Sequence, residues 1–87
     1  MLFRTNSFKK AFKKLHLVEQ DLVLDVVMKL AQGERLEEKF KDHLLIGNFK
    51  DCRECHVKPD LLLVYRINEN ILELALLEVG SHSQLFG

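Results

Sequence analysis

Leu61-Leu62-Leu63-Val64-Tyr65 is an unbroken apolar and aromatic run, and its reading decides the fold. A strand with one face in water alternates polar and apolar residues, whereas one covered on both faces reads as continuous, so this run is expected to be a central strand. Before it, residues 51–58 do alternate: Cys52, Glu54, His56 and Lys58 fall on one face and Arg53, Cys55 and Val57 on the other. Pro59 ends that strand or sits at its edge. After it, Asn68-Glu69-Asn70 is a turn signal leading into residues 71–79. The three segments read as an antiparallel meander.

Towards the N-terminus the period changes from two to 3.6. Phe8, Ala11, Phe12 and Leu15 share one helical face while Lys9, Lys10, Lys13 and Lys14 cover the remainder. Asn6 or Ser7 supplies the capping oxygen, and residues 2–5 read as a short first strand. Val23, Val26, Val27 and Leu30 repeat the helical spacing in a second helix from about Glu19 to Ala31, which Gly33 is placed to end. His16 is read as favourable positive charge at the end of the first helix. Two amphipathic helices need a common surface for their apolar stripes, and the strands supply it. The expected fold is α+β: two N-terminal helices packed on a twisted, mainly antiparallel sheet, in one domain over residues 1–87.

Eighty-seven residues suffice for one core only. Thirteen basic and thirteen acidic side chains cancel, so a polyanion would have to be bound through local patches rather than by net charge. One such patch is the first twenty residues, where Arg4, Lys9, Lys10, Lys13 and Lys14 stand against Glu19 alone. No run approaches the ~18 apolar residues of a membrane span and the opening residues lack a secretory pattern, so a cytoplasmic protein with reduced cysteines is expected.

Lys41-Asp42-His43, Gly47-Asn48-Phe49, residues 53–60, Leu63-Val64-Tyr65 and residues 80–86, with Gly80-Ser81-His82 at their head, occur in the order and spacing typical of YafQ-like toxins. The chain thus resembles the YafQ branch of the RelE/ParE superfamily, strongly in its C-terminal half and by pattern alone in the helices. The resemblance implies a toxin of a type II toxin–antitoxin pair, acting as a ribosome-dependent endoribonuclease on mRNA. It also implies a cognate antitoxin, expected to be acidic, and contact with operator DNA only through the antitoxin complex. Carried over by position, it implies catalytic roles for His43, His56, Asp60, His82 and Phe86. Lys41, Arg53, Glu54, Lys58 and Arg66 are expected to line the RNA path. Relatives usually carry arginine where this chain has Glu78. Either Arg53, Arg66 or Lys41 then supplies the missing charge, or cleavage is weak and the chain acts mainly as an antitoxin-binding, autoregulatory module.

The residue types suit metal-free RNA cleavage, which needs a base for the ribose 2′-hydroxyl, an acid for the leaving 5′-oxygen and positive charge near phosphorus. Imidazole, with an ordinary pKa near 6.5, serves either proton transfer at neutral pH. We assign His82 as acid, His56 or Asp60 as base and His43 to the phosphate, with Phe86 stacking on a base. Cys52-Arg53-Glu54-Cys55-His56 also fits the C-x-x-C-H haem signature, and Cys52, Cys55, His43, His56 and His82 are all zinc-ligand types. Strand alternation puts the two cysteines on opposite faces, which disfavours both readings, and no metal or other cofactor is expected.

Overall fold

The computed structural model describes residues 1–46 and 51–87, so the Gly47-Asn48-Phe49 motif lies outside the described residues. In chain order come β1 (Leu2–Arg4), α1 (Asn6–Lys14), α2 (Leu17–Ala31), a 3₁₀ turn (Glu38–Phe40), β2 (His43–Leu44), β3 (Arg53–Lys58), β4 (Leu61–Asn68), β5 (Glu73–Gly80) and α3 (His82–Phe86). The sheet order is β1-β5-β4-β3-β2. Strands β2 to β5 pair antiparallel, and β1 pairs parallel with β5 at the edge. None of the described helices is long and apolar enough to cross a membrane.

The expected meander is present, with β4 at its centre and Leu61 to Tyr65 all buried. The core lies between one sheet face and the helices. Phe8 of α1 and Val23, Val26, Val27 and Leu30 of α2 meet Cys55, Val57, Leu61, Leu63, Tyr65, Leu74, Leu76 and Val79, with Phe40 closing one side. Removing such a buried apolar side chain from water contributes roughly 1.5–3 kcal/mol each, offset by the entropy of ordering it. Cys52, Leu62, Val64 and Ala75 are also buried but stand outside this cluster, as alternation requires of the opposite face.

Several local expectations are corrected. Thr5, not Asn6 or Ser7, caps α1: its Oγ1 accepts the Phe8 N–H at 3.0 Å. The same hydroxyl donates to the Leu77 carbonyl at 2.6 Å, while the Thr5 N–H donates to Leu76 O at 3.1 Å. Helix α2 begins at Leu17, and His16 belongs to its start rather than to the end of α1, with the Glu19 side chain accepting the His16 N–H at 3.4 Å. Gly33 does end α2: at φ +77° its N–H donates to Leu30 O, and the Glu34 N–H reaches back to Lys29 O. The two-residue strand β2 carries no periodicity from which to infer it.

Two bulges tune the sheet. In β5, Val64 pairs with Glu78 but Tyr65 pairs with Leu76, leaving Leu77 as the extra residue. That residue shifts the alternation, so Leu76 and Val79 both reach the core while Glu78 and Gly80 stay outside it. A second register shift between His56 and Lys58 breaks the expected sharing of one face by Glu54, His56 and Lys58. The Lys58 ammonium turns to α2 and pairs with Glu19 at 2.7 Å.

Candidate functional site

Register defines two rows across the sheet face opposite the core that α1 and α2 cover. His43 pairs with Glu54, Glu54 with Val64 and Val64 with Glu78; one step along, His56 pairs with Leu62 and Leu62 with Gly80. Neighbouring strands lie ~4.8 Å apart, so Gly80 sits roughly 10 Å across the sheet from His56. The turn into α3 starts there.

The centre of the site is a buried carboxylate. Glu54 is 5% exposed, and both imidazoles converge on its Oε1: His43 Nε2 at 3.6 Å and His56 Nε2 at 3.8 Å. Burial of a carboxylate demands partners, and the two histidines on adjoining strands provide them when their rings are protonated at Nε2. His43 Nδ1–H donates to the Lys41 carbonyl at 2.7 Å, which leaves Nε2 as the nitrogen able to exchange a proton with a bound molecule.

His82 and Phe86 come from α3. Ser81 Oγ accepts the Gln84 N–H at 3.2 Å and Gln84 Oε1 accepts the Ser81 N–H at 2.8 Å, a reciprocal cap that fixes the first turn. Four residues apart on that turn, the His82 and Phe86 rings pack in a tilted arrangement, centroids 5.3 Å apart and planes at 51°. A Cβ at Gly80 would come within 2.8 Å of Gln84 Oε1, so a side chain there would push the Gln84 cap aside.

Asp60 stands apart from the His43–Glu54–His56 group. Exposed in the β3–β4 turn, it borders a cavity of about 590 Å³ with Lys10 and Lys14 of α1, Glu78, Ser81 and Gln84. Arg53 does not share the histidine face. Its guanidinium grips Asp42 in a bidentate pair, Nη2 at 2.9 Å and Nε at 3.2 Å to Oδ2, and Tyr65 Oη donates to Asp42 Oδ1. This pairing raises the Arg53 pKa above its ordinary value, chiefly through the Asp42 hydrogen bond. Arg66 is exposed on the Val64 side of β4, and Lys41 is exposed just before β2. Lys58 is committed to Glu19, whose pKa its ammonium draws below the ordinary carboxylate value.

Cys55 lies in the core cluster, and Cys52 is buried outside it. Burial pushes the Cys55 thiol up to about 12, so it stays protonated. Among the described residues no group of three or more His, Cys, Asp or Glu side chains is arranged to hold a metal ion. Sequence reasoning missed Asp42, Tyr65 and Gln84. Asp42, within the Lys41-Asp42-His43 motif, was in plain view, but its partners lie 11 and 23 residues away.

Comparison with known proteins places this geometry in context. The family model described as "Bacterial toxin of type II toxin-antitoxin system, YafQ" matches residues 1–87. A copper-bound point mutant of a Helicobacter pylori toxin superposes with a TM-score of 0.86 and 43% identity, covering 98% of this chain and 97% of that one. The toxin of the Escherichia coli DinJ-YafQ complex has a TM-score of 0.85 and 26% identity, covering 100% and 98%. The mRNA interferase toxin YafQ of Escherichia coli K12 is 40% identical over 48 residues, which span 55% of this chain and about half of that relative.

Proposed function

Because the chain belongs to the YafQ family of type II toxin–antitoxin toxins, we propose that it is an endoribonuclease that cuts mRNA on the ribosome and is held inactive by a cognate antitoxin. The observation that carries the reading is the convergence of His43 and His56 on one buried carboxylate oxygen, at 3.6 and 3.8 Å, on the sheet face opposite α1 and α2. Relatives of the chain are named mRNA interferases, and one is seen in complex with DinJ. Residues 1–87 act as one toxin domain in the cytoplasm, reaching operator DNA only through the antitoxin.

In this reading a base takes the proton from a ribose 2′-hydroxyl, whose oxygen attacks the adjacent phosphorus. The P–O5′ bond breaks and an acid protonates the departing 5′-oxygen, giving a 2′,3′-cyclic phosphate and a 5′-hydroxyl. His56 serves as base, with Glu54 stabilising the imidazolium that forms. His82, on the rigidly capped α3, serves as acid, and Phe86 stacks on a base beside the cut. His43 contacts the phosphate through Nε2. Asp60 borders the path at the end of the sheet, while Lys41 and Arg66 are the exposed cations nearest the histidine face in sequence and register. Arg53 and Lys58 support the fold through Asp42 and Glu19, and RNA contact is left to the others.

One observation favours a second reading, a toxin-like module with weak cleavage. Glu78 ends the row that begins at His43 and Glu54, where a carboxylate opposes the growing negative charge at phosphorus. Lys10 and Lys14, across the cavity from it, moderate that effect. Expression without antitoxin separates the readings: the nuclease stops growth and His82→Ala restores it, whereas a weak module leaves growth unchanged until Glu78→Arg is introduced. Toxin stripped with EDTA, with the chelator removed before it meets ribosomes in their usual Mg²⁺, should cleave at the undiminished rate; a loss restored by adding back a transition metal would move the chemistry to a bound metal.

A further inference from the structure

We propose that Asp42 is a positioning residue, locking His43 in one orientation and one tautomer over Glu54. The proposal rests on the nuclease reading for its catalytic consequence, but the lock itself is a property of the fold. Strand β2 is two residues long, and so short a segment cannot hold a side chain in place through its ladder alone. It is instead fastened by the three residues that precede His43. Phe40 is buried in the core, 9% exposed. Lys41 then takes the left-handed conformation at φ +48°, costly for a residue with a Cβ and kept only where surroundings enforce it.

What enforces it is the next residue. Asp42 receives two hydrogen-bond donors from Arg53 and one from Tyr65, on neighbouring strands β3 and β4. Bidentate pairing with a guanidinium fixes both distance and plane, and the Tyr65 ring is itself immobilised at 1% exposure. With Asp42 pinned towards the helix side, alternation turns His43 to the open face. The left-handed bend at Lys41 brings that residue's carbonyl to 2.7 Å from His43 Nδ1. A carbonyl accepts only a donor, so Nδ1 carries a hydrogen whether the ring is neutral or charged; Nε2, bare in the neutral ring and a donor to Glu54 in the imidazolium, faces Glu54 and the substrate. Arg53 is also the residue before Glu54, so one clamp registers both members of the pair.

The test uses the full chain with 15N-histidine labelling. Two-bond ring spectra distinguish Nδ1–H from Nε2–H, and in parallel kcat and KM are measured on ribosomes programmed with a defined mRNA. Asp42→Ala is expected to move His43 from the Nδ1–H form to a tautomer average with the other ring signals in place. It should lower kcat about 10–100-fold, the size of effect a roughly 1 Å misplacement produces, with KM within about twofold. Placed in a His43→Ala background, Asp42→Ala should cost nothing further. Tyr65→Phe, which keeps the core ring, should shift the His43 ring signals in the same direction by less, and it decides the matter if Asp42→Ala does not fold. An equal loss with and without His43, or unchanged His43 signals in folded Asp42→Ala or Tyr65→Phe, overturns the proposal. A parent that cleaves nothing refutes the nuclease reading alone, and the spectra still decide the clamp.

Discussion

Thr5 joins α1 to the strand that delivers α3, so removing its hydroxyl should be costly at an unusual distance from the histidines. Thr5→Val keeps the β-branched shape and loses two hydrogen bonds at once: the cap on the Phe8 N–H at 3.0 Å and the bond to the Leu77 carbonyl at 2.6 Å. Loss of an N-cap costs ~1 kcal/mol, and a partly buried carbonyl left without its donor costs about another 1 kcal/mol. The sum is roughly 2 kcal/mol, and at ~4–8 °C per kcal/mol for a domain of this size Tm should fall by roughly 10 °C. Thr5→Ser retains both bonds and should stay within about 0.5 kcal/mol of the parent. Thermal and urea unfolding followed by circular dichroism measure both variants. A Thr5→Val protein within about 0.5 kcal/mol of the parent, or Thr5→Ser as unstable as Thr5→Val, would refute the claim that the hydroxyl pins the β5 bulge.

The remaining expectations follow from charge and burial. Burial, then the Asp42 contact, raises the Tyr65 pKa above its ordinary value of 10. The neutral phenol is favoured by the fold, so this contribution is full below the unfolded pKa and is lost as pH rises through the folded one. With one tyrosine and no tryptophan in the chain, tyrosinate absorbance should appear only with unfolding; early ionisation of native protein would contradict the clamp. Glu19, lowered chiefly by Lys58, behaves oppositely: its contribution is present above the unfolded carboxylate pKa and fades as pH falls through the folded value. Glu19→Gln should therefore flatten the acid limb of a stability–pH curve, and an unchanged limb would count against the ion pair. Cys55, held at about 12, should resist alkylation in native protein at pH ~8 and react once unfolded, as peptide mass mapping can check. Glu78→Arg should raise the cleavage rate about tenfold or more if charge at phosphorus is limiting; no change would show that Lys10 and Lys14 already supply it.

The legibility of this fold in its sequence follows the range of each determinant. The continuous run at Leu61 to Tyr65 and the 3.6-residue stripes of α1 and α2 are local signals, and they gave the meander and both helices. The parallel pairing of β1 depends on contacts across 70 or so residues, such as Thr5 with Leu77, 72 apart, while the two-residue β2 and the β5 bulge are set by pairing with β3 and β4 and leave no periodic signal of their own. No window on the chain contains them. At the candidate site, alternation correctly put Glu54 with His56 and set Arg53 and Cys55 on the other face. It failed at Lys58 because a bulge before Pro59 turned the strand. Asp42 could be read as a neighbour of His43 but not as a clamp, since its meaning comes from Arg53 and Tyr65.

The central claim is RNA cleavage by imidazoles on the open face of the sheet, and mapping of cellular transcript 5′ ends after brief induction tests it most directly. New 5′-hydroxyl ends are expected within translated reading frames, absent when translation is blocked and absent with His82→Ala. Transcripts that stay intact while the parent chain accumulates, or the same new ends with His82→Ala, would contradict it.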